Sequence, residues 1–163
     1  MMEKLNDSLR KIERVLGKAI VGITGTILVA ITIIIFVQVI FRKVLSNSLS
    51  WSEELTRYMM VWMTFLATGY ILGHGLHSNI DAVLKRLPKS VQFVVKKING
   101  LLLIFFSIIV LKYGFALTIL GANQKSSALV IPMNYVYLAI PAGGLIMLFY
   151  SLLILTEGRE QKI

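Results

Sequence analysis

The 163 residues are 56% hydrophobic and 15% charged, with a mean hydropathy of +0.78 and a net charge of +9. A soluble domain carries roughly 25% charged residues, so this composition excludes a disordered tail, a disulfide-rich secreted module and an ordinary cytosolic enzyme. Zero Cys removes thiol catalysis, Cys-ligated zinc and disulfides, and most of the 17 Lys and Arg flank apolar runs, where they suit lipid head groups better than nucleic acid.

Four apolar runs fill a single membrane domain, 1–163. Before the first, Leu5, Leu9, Ile12, Leu16 and Ala19 recur at helical spacing among basic residues, which predicts an amphipathic helix lying in the interface. The first span covers about 19–41 and holds no charge. At ~1.5 Å per residue it reaches about 35 Å, enough to cross. It is too long for a signal-peptide core and no A-x-A site follows, so a retained anchor is expected. The second span covers about 55–76. After it, Ile80, Val83, Leu84 and Leu87 precede Pro88, and Val91, Val94, Val95 and Ile98 follow it, predicting a second amphipathic stretch. The third span covers about 98–121. The fourth covers about 133–155, with Pro132 at its start and a kink expected at Pro141 with Gly143 and Gly144. Gly69-x-x-x-Gly73, Thr64-x-x-x-Thr68 and Gly22-x-x-Gly25 are small-residue spacings that permit close helix packing.

Loop charges orient the spans. The N-terminal segment, the second connection and the C-terminal tail together hold 12 basic residues, whereas the first and third connections hold only Arg42, Lys43 and Lys125. The positive-inside rule then places both termini in the cytoplasm. The expected fold is therefore an all-α membrane protein of four transmembrane helices, with interfacial helices at the N-terminus and between spans two and three.

Polar residues near the spans each have two readings. Ser50-Trp51-Ser52-Glu53 has the form of a capping box, with Ser50 as the cap and Glu53 reaching back to free N–H groups. Glu53 and Glu54 suit the positive end of a helix dipole, and Glu53 and Arg57 are spaced to pair along one face. Trp51 fits an aromatic belt. Ordinary helix-start chemistry covers all of this except Arg42, a cation on the side that usually avoids one. A contact between Arg42 and Glu54 accounts for it, and so does docking of an external partner. Lys112 lies inside the third span, either snorkelling outward or meeting a polar group of a neighbouring subunit or crevice. His74, His77 and Asp81 have the residue types of a metal site, but a helix C-terminus favours His and Gly by itself. No metal is expected.

What is missing narrows the function further. There is no Gly-x-Ser-x-Gly nucleophile, no carboxylate inside a span, no His in a span except His74 at the end of the second, no Thr-Val-Gly-Tyr-Gly filter and no P-loop. A chain so equipped has no evident means to break a bond or move a solute alone.

Phe41-Arg42, then Leu49-Ser50-Trp51-Ser52-Glu53-Glu54-Leu55, Arg57 and Trp62, resemble the signature of the small membrane subunit, DctQ type, of tripartite ATP-independent periplasmic (TRAP) transporters. His77-Ser78-Asn79-Ile80-Asp81 is similar to that family's motif after the second span, and Pro132 and Pro141 fall where its fourth helix has prolines. A second His at position 74 and the gap from His77 to Ile80 depart from the pattern. The resemblance implies a non-catalytic scaffold in the bacterial inner membrane. Its partners would be a large TRAP membrane subunit, a periplasmic substrate-binding protein and membrane lipids. Sodium would bind the large subunit, and this chain would hold no cofactor. The cargo would be an organic acid such as sialic acid or a C4-dicarboxylate. Arg42, Trp51, Glu53, Glu54 and Arg57 would then stabilise the outer edge, and His77 and Asp81 would fix the turn after span two. Trp62 and Lys112 complete the expected structural and partner-facing set. The alternative is a small membrane enzyme or a stand-alone channel with a motif unlike any of these.

Overall fold

The computed structural model describes residues 2–44, 49–73 and 88–157, and its regular elements are all helices. Helix α1 (Met2–Val44) is a single helix of 43 residues, about 64 Å long and roughly twice the hydrocarbon thickness. An interfacial helix separate from the first span is thus not what forms. Nothing between them breaks the helix: there is no Pro, and isolated Gly costs only about 1 kcal/mol. Only part of the predicted stripe turns inward: Ile12 and Ala19 are exposed and Leu16 is half-buried, while the buried face is that of Glu13, Gly17 and Ile20. Leu16 and Ile20 pack against Tyr150 and Leu153 near the other end of the chain. Of Leu5 and Leu9 only the backbone is described.

Helix α2 spans Ser50–Gly73, and α3 spans Lys89–Gly121. Val91, Val94, Val95 and Ile98 therefore belong to the same continuous helix as the third span. The first half of that connection, with Ile80 to Leu87, lies outside the described residues. The fourth apolar run is interrupted at one residue, Leu138, between α4 (Asn134–Tyr137) and α5 (Ala139–Glu157), and the Leu138 backbone itself stays helical at φ −60° and ψ −22°. Pro141 supplies the cause. It has no N–H to give the Tyr137 carbonyl, and its ring crowds that carbonyl, so one rung of the helical ladder is lost there. Leu138 N–H still reaches Asn134 O at 2.9 Å, and Ala142 N–H reaches Leu138 O at 3.1 Å.

The helices form a layer in which α1 packs on α2, α2 packs on α5, and α5 packs on α3. Successive contacts set the directions. Gly114 of α3 meets Pro141 and Gly121 meets Tyr137, an antiparallel crossing, whereas Phe65 meets Gly143 and Gly69 meets Ile146, a parallel one. Residues α3 turns inward repeat every seven positions: Gly100, Ser107, Gly114 and Gly121 are all buried. A seven-residue repeat keeps one seam facing a partner helix, and small residues let the backbones approach. Gly143 shows how close the approach is: an added Cβ would lie 2.7 Å from the Phe65 carbonyl oxygen. Around Gly22 and Gly25, by contrast, there is nothing within 4 Å.

Among the described residues three stretches are long and apolar enough to cross a membrane: Lys11–Val44, Lys97–Gly121 and Asn134–Leu153. Helix α2, with 24 residues, has the length of a span, but Glu53, Glu54 and Arg57 lower its apolar character near the start. Large apolar side chains of α1 and α3, such as Phe36, Phe105 and Ile119, stay exposed on the outside of the layer. That distribution suits lipid, in which only structures that satisfy their own backbone persist.

Candidate functional site: a carboxylate clamp between α2 and the 122–133 connection

The first turn of α2 is built differently from a capping box. Leu49 stands just before the helix, and its carbonyl accepts both the Ser52 N–H at 3.0 Å and the Ser52 hydroxyl at 2.7 Å. Ser52 is buried, and its own carbonyl accepts the Thr56 hydroxyl at 2.7 Å. Ser50 is exposed, and no hydrogen bond of its hydroxyl is found among the described residues. The serine that organises this turn is therefore Ser52, two positions later than the motif suggested.

Adjacent carboxylates project about 100° apart on a helix, so Glu53 and Glu54 meet different neighbours. Glu53 turns toward α1 and accepts a bond from Gln38 Nε2 at 3.0 Å. Glu54 turns toward the connection between α3 and α4, where it is nearly fully buried. Its Oε1 accepts the Ser127 N–H at 3.0 Å and the Tyr58 hydroxyl; its Oε2 accepts Ala128 N–H at 2.7 Å and Leu129 N–H at 2.8 Å. Three successive backbone N–H groups thus close on one carboxylate, an anion-binding concavity of the kind turns provide. Tyr58 also lies 3.3 Å from Met133 Sδ, touching the far end of the same connection.

The connection is shaped to offer those N–H groups. Its arms are joined by Met133 N–H to Gln124 O and Ser126 N–H to Ile131 O, both at 2.9 Å, with a bridge between Lys125 and Pro132. Ser126 Oγ accepts the Ile131 N–H at 3.2 Å. At the tip Val130 has φ of 55°, a conformation a β-branched residue resists by about 1–3 kcal/mol. The surrounding bonds hold it there.

The Tyr58 hydroxyl, opposed by burial and helped by the N–H groups of Leu129, Ala128 and Ser127, lowers the Glu54 pKa from 4.5 to about 2. The carboxylate is ionised at neutral pH and both its oxygens are already engaged. It is no general base and no free ligand for a cation. Its chemistry is to fasten α2 to a connection some seventy residues further along.

The other expected site residues do not gather around it. No ion pair joins Arg42, Glu53, Glu54 and Arg57 among the described residues, and Arg42 and Arg57 are exposed. The expected contact of Arg42 with Glu54 is replaced because three fixed N–H dipoles and a phenol satisfy the carboxylate without a mobile arginine. The Glu53–Arg57 pair is replaced by Gln38. Trp51 is 45% exposed, as an interfacial residue would be. Trp62 ties α2 to α4, its Nε1–H bonding Tyr135 O at 3.1 Å. Lys112 is exposed, with Nζ 5.8 Å from the Tyr113 ring centroid. His74, His77 and Asp81 lie outside the described residues. Tyr58 and the N–H groups of residues 127–129 were not singled out from sequence. Tyr58 had a legible cue, four positions after Glu54; backbone donors have none.

These features define a small multi-pass membrane protein whose buried acid serves architecture. The family model for the DctQ component of tripartite ATP-independent periplasmic transporters matches residues 31–160. The chain belongs to that family and is a small permease subunit of a TRAP transporter. It is 21% identical over 139 residues to a putative TRAP transporter small permease protein of Haemophilus influenzae, covering 85% of this chain and 86% of that one. It is 35% identical over 104 residues to the C4-dicarboxylate TRAP transporter small permease protein DctQ of Rhodobacter capsulatus, covering 63% of this chain and 46% of the relative. It is also 25% identical over 142 residues to the sialic acid TRAP transporter permease protein SiaT of Haemophilus influenzae, covering 86% of this chain but 22% of that protein.

Proposed function

We propose that this subunit is a non-catalytic scaffold that holds a large membrane subunit during sodium-driven, binding-protein-dependent uptake of an organic acid across the bacterial inner membrane. The observation that carries this reading is the state of Glu54. The acid best placed for transport chemistry has both oxygens engaged by its own chain. A carboxylate so occupied braces a framework and leaves solute and sodium to a partner. The match to a short part of SiaT supports a partner of larger size, because there a similar sequence forms only 22% of a permease. Two relatives are named for a C4-dicarboxylate and for sialic acid and a third for ectoine, which supports a small organic acid or zwitterion as the cargo class.

Four spans with both termini cytoplasmic follow from the same reading. Helix α2 runs beside α4 and α5 from Trp62 at Tyr135 to Gly69 at Ile146, along the stretch Asn134–Leu153 that is apolar enough to cross. The test is reconstitution. The purified chain in liposomes is expected to take up no sialic acid or C4-dicarboxylate, with or without a sodium gradient. Adding the large subunit and a substrate-loaded binding protein is expected to restore sodium-dependent uptake. Uptake by this chain alone overturns the scaffold.

A further inference from the structure

Between residues 98 and 121, Lys112 is the only charged residue. The seam of α3 on α5 passes through Ser107 and Gly114, and at about 100° per residue Lys112 lies roughly 140–160° round the helix from both. It therefore points away from its own chain, on a face shared with Leu101, Phe105, Ile108 and Ile119, each more than half exposed.

The packing register gives its depth. Gly114 meets Pro141, and Gly144 meets Leu111, so Lys112 is level with the stretch from Pro141 to Gly144; Gly143 in turn meets Phe65. This level is inside α2 and α3 and near the middle of the apolar stretch Asn134–Leu153. Lys112 is nine residues from the nearer end of α3 at Gly121, about 14 Å along the axis. Helical side chains lean toward the N-terminus, away from that end, so the stem does not carry the amine toward the nearer head groups. The Tyr113 ring at 5.8 Å attracts the cation but leaves its charge in place.

Snorkelling to a lipid phosphate thus fits poorly, and two other occupants fail on charge. This chain has no carboxylate inside any apolar run, and a second copy on the same face would bring a second lysine. The geometry points to the outward face of α3 as the docking surface for a transmembrane segment of a different chain, one that presents a carboxylate to Lys112 near mid-membrane. Given the scaffold reading, on which this assignment rests, that chain is the large membrane subunit.

The absence of native Cys makes the test direct. In membranes carrying the complete transporter, Phe105→Cys alkylated with a maleimide–benzophenone is expected to cross-link to the large subunit on irradiation. Lys112→Glu is expected to abolish that cross-link and to lower co-purification of the large subunit by about tenfold or more, and Lys112→Arg to retain it. Lys112→Leu separates docking from misfolding. It removes a charge that opposes membrane insertion, so the chain's own level should hold or rise while co-purification falls. Unchanged co-purification with Lys112→Glu and Lys112→Leu and no cross-link from Phe105→Cys, in an intact complex, overturns this docking face alone. So does a cross-link between two copies of this chain. Failure of the unaltered chain to co-purify with any large subunit overturns the scaffold reading together with it.

Discussion

Glu54 and Tyr58 lie one turn apart on α2, and the phenol donates to the carboxylate oxygen that also holds the Ser127 N–H. The pair works as one clamp. Tyr58 orients the carboxylate, and the carboxylate gathers Ser127, Ala128 and Leu129 around it. Through Met133 the same tyrosine reaches the entrance to α4, so both ends of the connection refer to one side of α2.

Loss of the clamp should loosen the connection before it unfolds the helices. Glu54→Gln keeps the shape but replaces one charged acceptor with a donor that faces N–H groups. Amide exchange at 127–129 is expected to speed up strongly while α3 and α5 stay protected. Tyr58→Phe should give a smaller change of the same kind, since the three backbone bonds remain. Hydrogen exchange with mass spectrometry checks both.

The pH dependence follows from the lowered pKa. A group at about 2 in the folded chain and 4.5 ordinarily contributes stability that is fully present above 4.5 and is lost as pH falls through 2. Thermal unfolding in detergent is expected to show no Glu54-dependent change between pH 7 and 5 and a decline below about 4.5. In Glu54→Gln that part of the decline should be missing. Arg42→Ala should leave it untouched, and its effect should add to that of Glu54→Gln, because the two side chains do not pair.

Serine substitutions separate the two accounts of the α2 start. Ser52→Ala is expected to destabilise by about 1 kcal/mol, losing a buried bond to Leu49. Ser50→Ala should lie within about 0.5 kcal/mol of the unaltered chain. Unfolding in mixed micelles reads both, and the reverse order would restore the capping box.

Glycine positions should divide by contact. Gly143→Ala puts a methyl against the backbone of Phe65, so α2 and α5 must separate, at about 1–3 kcal/mol. Gly22→Ala meets open space and should be neutral or favourable by up to about 1 kcal/mol in the isolated subunit. Thermal melts of the purified chain test this directly.

Orientation is checked by single cysteines. Lys125→Cys in intact cells is expected to react with an impermeant reagent, and Lys11→Cys only after permeabilisation. The opposite pattern would invert the topology read from loop charge.

The apolar runs, the helical class and the polar start of α2 were legible because each depends on a residue's own transfer free energy and spacing. Family membership was legible for a similar reason, since Leu49 to Trp62 is one contiguous stretch. Pro141 announced the local interruption because a missing N–H acts on the carbonyl four residues before. The seven-residue repeat from Gly100 to Gly121 was there to be seen as well. Tertiary structure alone decided what Glu54 holds. Its partners are backbone N–H groups, which every residue but proline carries, and only the fold brings residues 127–129 to α2. The same was true of the N-terminal stripe. Its period announced an apolar face, but lipid and protein interior are both apolar, and period cannot distinguish them. Packing did, by turning Glu13, Gly17 and Ile20 inward, so that Leu16 of the stripe is half-buried against Tyr150 and Leu153 while Ile12 and Ala19 stay exposed.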